Sequence, residues 1–401
     1  MAQFGDFTVD RNSTKYVLGS GGTIISYATD EPAFEFNTDG SYKGLLVEPA
    51  ATNICLQSED INTTWEAFSS GTRAQSTEET PDGDTTNKYI KLVDNNTGGG
   101  ATGTVAVIQT ITVSGGAKYT ASVFLKKSGL NWAWLRAFGA GSVGDANPSQ
   151  YFDLDNGVLG TGNAGIDDAT IEAYPNDWYR CTITWTQGAG DTSFVFRIYV
   201  AETDNDFTVD LDGTSSIFVW GAQVEAGPIA TSYIPTTTAS VTRNKDDITQ
   251  TSASSLIGQT EGTLYVEVDW KEASGTFQKL LAVSDGTSSN RMLIYNSSGG
   301  ELRMLAEANG TELTNQGESS SAYSGIQKIA FAYKTDDFEL YRNGSSISSD
   351  TTGSLAALGT LTDIDLGQGF NAGAQANMHI RAVALYPTRL SDAECEALTT
   401  L

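Results

Sequence analysis

Residues 217–247 read IFVWGAQVEAGPIATSYIPTTTASVTRNKDD, and the fold is decided there. Phe218, Trp220, Ala222 and Val224 alternate with Ile217, Val219, Gly221 and Gln223, the period of a β-strand. Both rows are largely apolar, which predicts a strand in the middle of a sheet. Gly227-Pro228 ends it, because Pro228 has no N–H to give to a ladder and Gly227 permits a sharp change of direction. The Thr-rich run that follows, with Pro235 inside it, has too few apolar residues to form a core. This stretch is therefore expected to join two all-β units, with residues 237–257 as a linker.

Working outward, 401 residues suffice for two domains of ordinary size, and 42 glycines punctuate strand-length apolar runs. The pattern predicts two tandem antiparallel β-sandwiches. A net charge of -26 offers phosphates no basic stripe, which argues against nucleic-acid binding. No basic-then-apolar leader opens the sequence and no run reaches membrane-spanning length, so synthesis in a cytoplasm without membrane insertion is expected. Three scattered cysteines make no disulfide framework, and Cys181, alternating with Tyr179, Ile183 and Trp185, reads as a buried thiol.

Upstream of the join, residues 1–43 form a β segment with too few large apolar side chains for its own core, expected to dock on the next domain or on a neighbouring subunit. Residues 44–236 carry alternating runs such as Tyr119 to Leu125 and Phe194 to Val200, separated by Gly, Asn and Asp clusters. They predict a jelly roll. Downstream, residues 258–401 open with the alternating run Leu264 to Trp270 and contain Asn343-Gly344, a pair suited to a primed hairpin turn. Ser391-Asp392-Ala393-Glu394 is a capping box that predicts one short C-terminal helix.

Two groups of motifs resemble known families. Arg11-x-Ser13-x-x-Tyr16-Val17, Gly44 to Pro49 with Thr52-Asn53, Trp220-Gly221-Ala222-Gln223-x-Glu225, Thr231 to Thr236 and Val241-Thr242-Arg243-x-x-Asp246 resemble bacteriophage tail-fibre, appendage and head-decoration proteins. In those proteins the motifs flank a carbohydrate-binding-module-like jelly roll. Ala51 departs from the pattern where an Arg is common, as does Ala33 after Pro32. Tyr341-x-Asn343-Gly344, Leu366-Gly367 and Leu385 to Glu394 resemble laminin-G-like or concanavalin-like lectin domains. The resemblance implies a virion-surface structural protein, assembled with other virion proteins and with itself, most often as a trimer, that meets a host-surface glycan or receptor.

Trp132, Trp134 and Arg136 alternate with Ala133, Leu135 and Ala137, and Arg197 and Tyr199 with Phe196 and Ile198. If the small residues face the core, Trp132, Trp134, Arg136, Arg197 and Tyr199 make a carbohydrate-binding platform. If the tryptophans are the core, the platform disappears, and the habitual burial of tryptophan favours that arrangement. Glu267-x-Asp269-x-x-Glu272 matches a glycoside hydrolase pattern, since retaining enzymes need two carboxylates about 5 Å apart. A charged edge strand explains the same residues, and His379, the single histidine, has no fixed-spacing partner. Asp153/Asp155, Asp204/Asp206, Asp210/Asp212 and Asp363/Asp365 are oxygen pairs of the type a structural Ca²⁺ uses, but none has the spacing of a calcium loop. A non-enzymatic binding protein without cofactor or catalytic metal is expected. A secreted carbohydrate-binding module or adhesin, and a glycoside hydrolase, are the alternatives.

Overall fold

A computed structural model describes residues 6–142, 144–270, 277–318, 323, 325–370 and 375–401. These residues form antiparallel sheets and one α-helix, Asp392–Thr399, started by the Ser391/Glu394 capping box. The all-β, two-sandwich architecture is as the alternation predicts. Asn343 and Gly344 both take positive φ (49° and 84°) between the strands Asp337–Arg342 and Ser345–Asp350, as a primed turn requires.

The first sandwich packs a sheet ordered Val158–Gly162, Ser149–Asp153, Trp132–Phe138, Ser193–Ala201, Thr102–Thr112 and Thr208–Asp210 against a six-stranded sheet. That second sheet runs Asp168–Tyr174, Trp178–Thr186, Lys118–Lys127, Ser216–Ala226, Lys88–Asp94 and Gly71–Ser76. Leu135, Phe152, Phe196, Ile183, Trp185 and Val219 are among the buried side chains between them. Cys181 lies in the same core, and all three cysteines are free.

Ser216–Ala226 is an interior strand, but its alternation is broken. Gln223 pairs with Ser122 and Trp220 with Phe124, so Gly221 and Ala222 together oppose Val123. Gly221 has φ +64°, and a Cβ there would lie 2.6 Å from the Phe124 ring. This bulge moves Ala222 and Val224 onto the core side with Ile217 and Val219. Gln223 and Glu225 turn to the opposite face. There Gln223 Oε1 accepts from Ile234 N (2.8 Å) and Glu225 Oε1 from Thr231 N (3.1 Å).

The domain boundaries differ from those expected. Tyr42–Val47, which spans the expected boundary at residue 44, pairs with Met378–Tyr386 in the second sandwich. Phe34–Phe36 extends the same sheet, and Thr8–Asp10 joins the opposing one beside Asp247–Gln250. Three of the strands before residue 48 therefore complete the C-terminal sandwich, where Leu45 and Val47 enter its core, while the hairpin Lys15–Leu18/Ile24–Tyr27 packs Ile24 against Phe124, Trp178 and Trp220 of the first sandwich. Their poverty in apolar side chains predicts docking, and the segment docks on both sandwiches, on the next one in the chain through Ile24 and on the C-terminal one through Val9, Leu45 and Val47. Residues 237–257 are likewise structured. Val241–Arg243 pairs with Ala51–Asn53, and Asp247–Gln250 lies between Thr8–Asp10 and Asp363–Leu366, with Ile248 buried.

Where the chain crosses between sandwiches, the motif residues Arg11, Glu48, Arg243 and Asp246 meet Lys15, each at most 1 % exposed. Lys15 Nζ lies 2.6 Å from Asp246 and 3.1 Å from Glu48. Arg11 lies 3.1 Å from Asp246, and Arg243 lies 3.6 Å from Glu48. Asp246 also accepts from the Glu48 N–H (2.9 Å), and Glu48 from the Ser232 N–H (2.8 Å). Buried charge is tolerated because each group has an opposite charge and hydrogen bonds around it.

Candidate functional site

The five residues of the predicted platform share one face. Ala133, Leu135 and Ala137 point into the first sandwich, as do Phe196 and Ile198. Trp132, Trp134, Arg136, Arg197 and Tyr199 consequently stand on the outer side of the sheet. Register brings them together: Trp134 pairs with Tyr199 on one side and Tyr151 on the other, and Arg136 pairs with Arg197.

The outer face carries its own aromatic layer. The Trp134 ring stacks on Tyr151 (5.2 Å, 13°) and Phe207 (4.8 Å, 21°) and packs against Tyr199 at 4.7 Å. It points outward yet is only 6 % exposed. Neither sequence reading anticipated this, because each assumed that a ring outside the sandwich core would be open. Trp134 thus supports the face rather than forming an open stacking surface. Trp132 remains half-buried, and Gly160 makes room for it, since a Cβ there would lie 2.6 Å from the ring. Burial, then Asp206 and Asp204, push the Tyr151 hydroxyl up to about 12.

The arginines are the accessible chemistry. Arg197 lies over the Phe138 ring at 3.7 Å and over Phe68 at 4.7 Å. Arg136 lies over Phe138 at 5.1 Å and over Trp134 at 5.0 Å. Aromatic faces hold and flatten the two guanidiniums. Among the described residues no carboxylate comes within ion-pair distance of either one. The Nε atoms of both, and Trp134 Nε1, lack a hydrogen-bond partner among those residues. Arg197 does donate to the Tyr199 hydroxyl at 3.2 Å. Like charges directly opposite on neighbouring strands oppose folding, so an unneutralised pair on a chain of net charge -26 has the form of an anion-binding site.

Phe138, 38 % exposed, was absent from the predicted set although it continues the period-two row from Trp132. Phe68 and Phe207 come from distant segments and carried no local signal. The carboxylate triplet has a different setting. Glu267 accepts from Arg381 Nε at 2.9 Å, Asp269 lies across from His379 on the neighbouring strand, and Glu272 falls outside the described residues. His379 is fully buried, its Nε2 bonded to Glu35. Of the Asp pairs, Asp153 accepts from Asp155 and Asn156, and Asp212 from Thr214, as turn residues do.

Residues 242–395 match the concanavalin A-like lectin/glucanases superfamily. Among curated proteins, none matches the chain in sequence. The Ruminococcus gnavus IT-sialidase CBM40 is 18% identical over 37% of this chain and 88% of its own, with a TM-score of 0.32. The NanB sialidase from Streptococcus pneumoniae is 17% identical over 38% of this chain and 26% of its own, with a TM-score of 0.32. A SAP-like pentraxin from Limulus polyphemus is 12% identical over 35% of this chain and 70% of its own, with a TM-score of 0.29. Likenesses at this level assign neither ligand nor activity. The C-terminal part of the chain is thus similar to concanavalin A-like lectins and glucanases.

Proposed function

We propose that this protein is a non-catalytic binder of acidic surface glycan, used as a bacteriophage virion-surface protein on fibre, spike or head. The observation that carries the binding reading is the Arg136/Arg197 pair, held side by side on aromatic rings with no carboxylate beside it among the described residues. Each guanidinium can present parallel N–H donors to a sugar carboxylate or sulfate. Phe138 and the half-buried Trp132 supply apolar surface for the ring faces. Residues 242–395, in the other sandwich, match a lectin-containing superfamily, which supports glycan as a ligand class for the protein as a whole. The virion role, and assembly as a trimer with other virion proteins, rest on the motif resemblance. A secreted adhesin would use the same face in the same way.

Binding to an acidic polysaccharide, with heparin and polygalacturonate as probes, tests the site. Arg136→Ala and Arg197→Ala should each weaken binding about tenfold, equivalent to 1.4 kcal/mol, and added salt should weaken the wild type. Unchanged binding in both variants would remove the arginine face from consideration. Labelling Leu401 on purified particles tests the virion placement, and light scattering tests the trimer.

A further inference from the structure

A cleft of about 480 Å³ opens between the two sandwiches on the side away from the arginine face. Its volume lies within the range of roughly 300–1,000 Å³ usual for small-molecule sites. One wall is a ladder on the outer face of the six-stranded sheet. Asp168 pairs with Thr184, Thr170 with Thr182, and Glu172 with Arg180, and all six side chains line the cleft. The opposite wall comes from the C-terminal sandwich and its N-terminal strands, through Lys43, Asp269 and His379.

Arg180 is the best-fixed donor. It is 6 % exposed, it donates to Ser122 Oγ at 3.0 Å, and its Nε has no partner among the described residues. A buried donor left without an acceptor opposes folding unless something fills it. Lys43 bridges the cleft, 3.5 Å from Glu172 on the far wall and 3.8 Å from Glu35 behind it.

The chemistry of the walls favours a ligand that both donates and accepts, with Pro228, Ile229, Ala230 and Trp270 adding apolar surface. Carboxylates only accept and guanidinium or ammonium groups only donate, so a ligand satisfying both must do both. A simple cation would meet Arg180 and Lys43. A simple anion would meet Asp168, Glu172 and Asp269 on a chain of net charge -26. An apolar ligand would strand every one of these groups. Hydroxyl groups donate and accept alike. We propose that this interdomain cleft binds a single neutral sugar unit, at a site separate from the arginine face and independent of it.

Bound there, the sugar contacts both sandwiches and so stabilises their relative placement. The test uses the full chain and free glucose, galactose and N-acetylglucosamine at millimolar concentration, read by saturation-transfer NMR and calorimetry. At least one should bind to the wild type and to Arg136→Ala alike. Thr170→Trp, which fills the cleft from an exposed position, should weaken binding tenfold or more while the thermal midpoint without sugar stays in place. If that variant misfolds, Glu172→Gln serves instead, with a weakening of at least threefold expected. No binding of any of the three sugars, binding unaffected by the cleft variant, or binding lost in Arg136→Ala would each overturn the proposal. Loss of acidic-polysaccharide binding in Arg136→Ala is read separately, so failure of one site does not decide the other.

Discussion

Two groups of basic side chains in this molecule live under opposite conditions. Arg11, Lys15 and Arg243 are buried where the chain crosses between sandwiches, and each has Glu48 or Asp246 within 4.0 Å. Arg136 and Arg197 stand on the outer face of a sheet, opposite each other and on aromatic rings. Arg11 and Arg243 belong to the motifs that make the sequence recognisable and Lys15 lies within one, yet the charges of all three are spent on Glu48 and Asp246. The second group belongs to no motif, yet its charges remain for a ligand. Resemblance in this chain therefore marks how the two sandwiches are held together, whereas the candidate glycan chemistry lies between the motifs.

That contrast can be broken most forcefully at the junction. Asp246→Ala removes the carboxylate that Arg11 and Lys15 share and leaves buried positive charge uncompensated. It should destabilise by about 3–5 kcal/mol, read as a large drop in the denaturant midpoint. A shift under about 0.5 kcal/mol, normal for surface sites, would show that the network is not buried in solution.

Trp134→Ala should cost about 3 kcal/mol, the lower part of the range for truncating a buried aromatic, because its ring is stacked between Tyr151 and Phe207. Thermal unfolding checks this. A stability close to wild type, with binding to acidic polysaccharide lost, would instead make Trp134 an open stacking surface.

The last effect concerns an acid that Lys279 compensates only in part. Asp365 is 4 % exposed, its Oδ2 has no partner among the described residues, and burial together with Asp247 and Asp363 raises its carboxyl to about 7. An unfolded Asp ionises near pH 4. Between pH 4 and pH 7 the unfolded chain therefore gives up this proton while the folded chain keeps it. Stability falls over that window, by about 4 kcal/mol in all. Asp365→Asn should flatten the fall, so that the variant gains on the wild type at pH 8 but not at pH 4. Parallel curves for the two proteins in denaturant at both pH values would contradict the raised carboxyl.

What the sequence by itself determined were properties of short runs. Alternation along Trp132 to Ala137 put the two tryptophans and Arg136 on one face, because side chains on a strand point to opposite faces residue by residue, but which of the two faces meets the core was left to the tertiary structure. The Asn343-Gly344 turn and the Ser391 capping box were legible for the same local reason. The tertiary structure alone decided which distant pieces meet. It brought Tyr42–Val47 to Met378–Tyr386, covered Trp134 with Tyr151 and Phe207, and set Arg136 beside Arg197. It also shifted Ser216–Ala226 by one residue at Gly221, which sends Gln223 and Glu225 to the face that holds Thr231 to Ile234. A strand's period is fixed by its own backbone, but its neighbours are fixed by which apolar faces the whole chain can bury together.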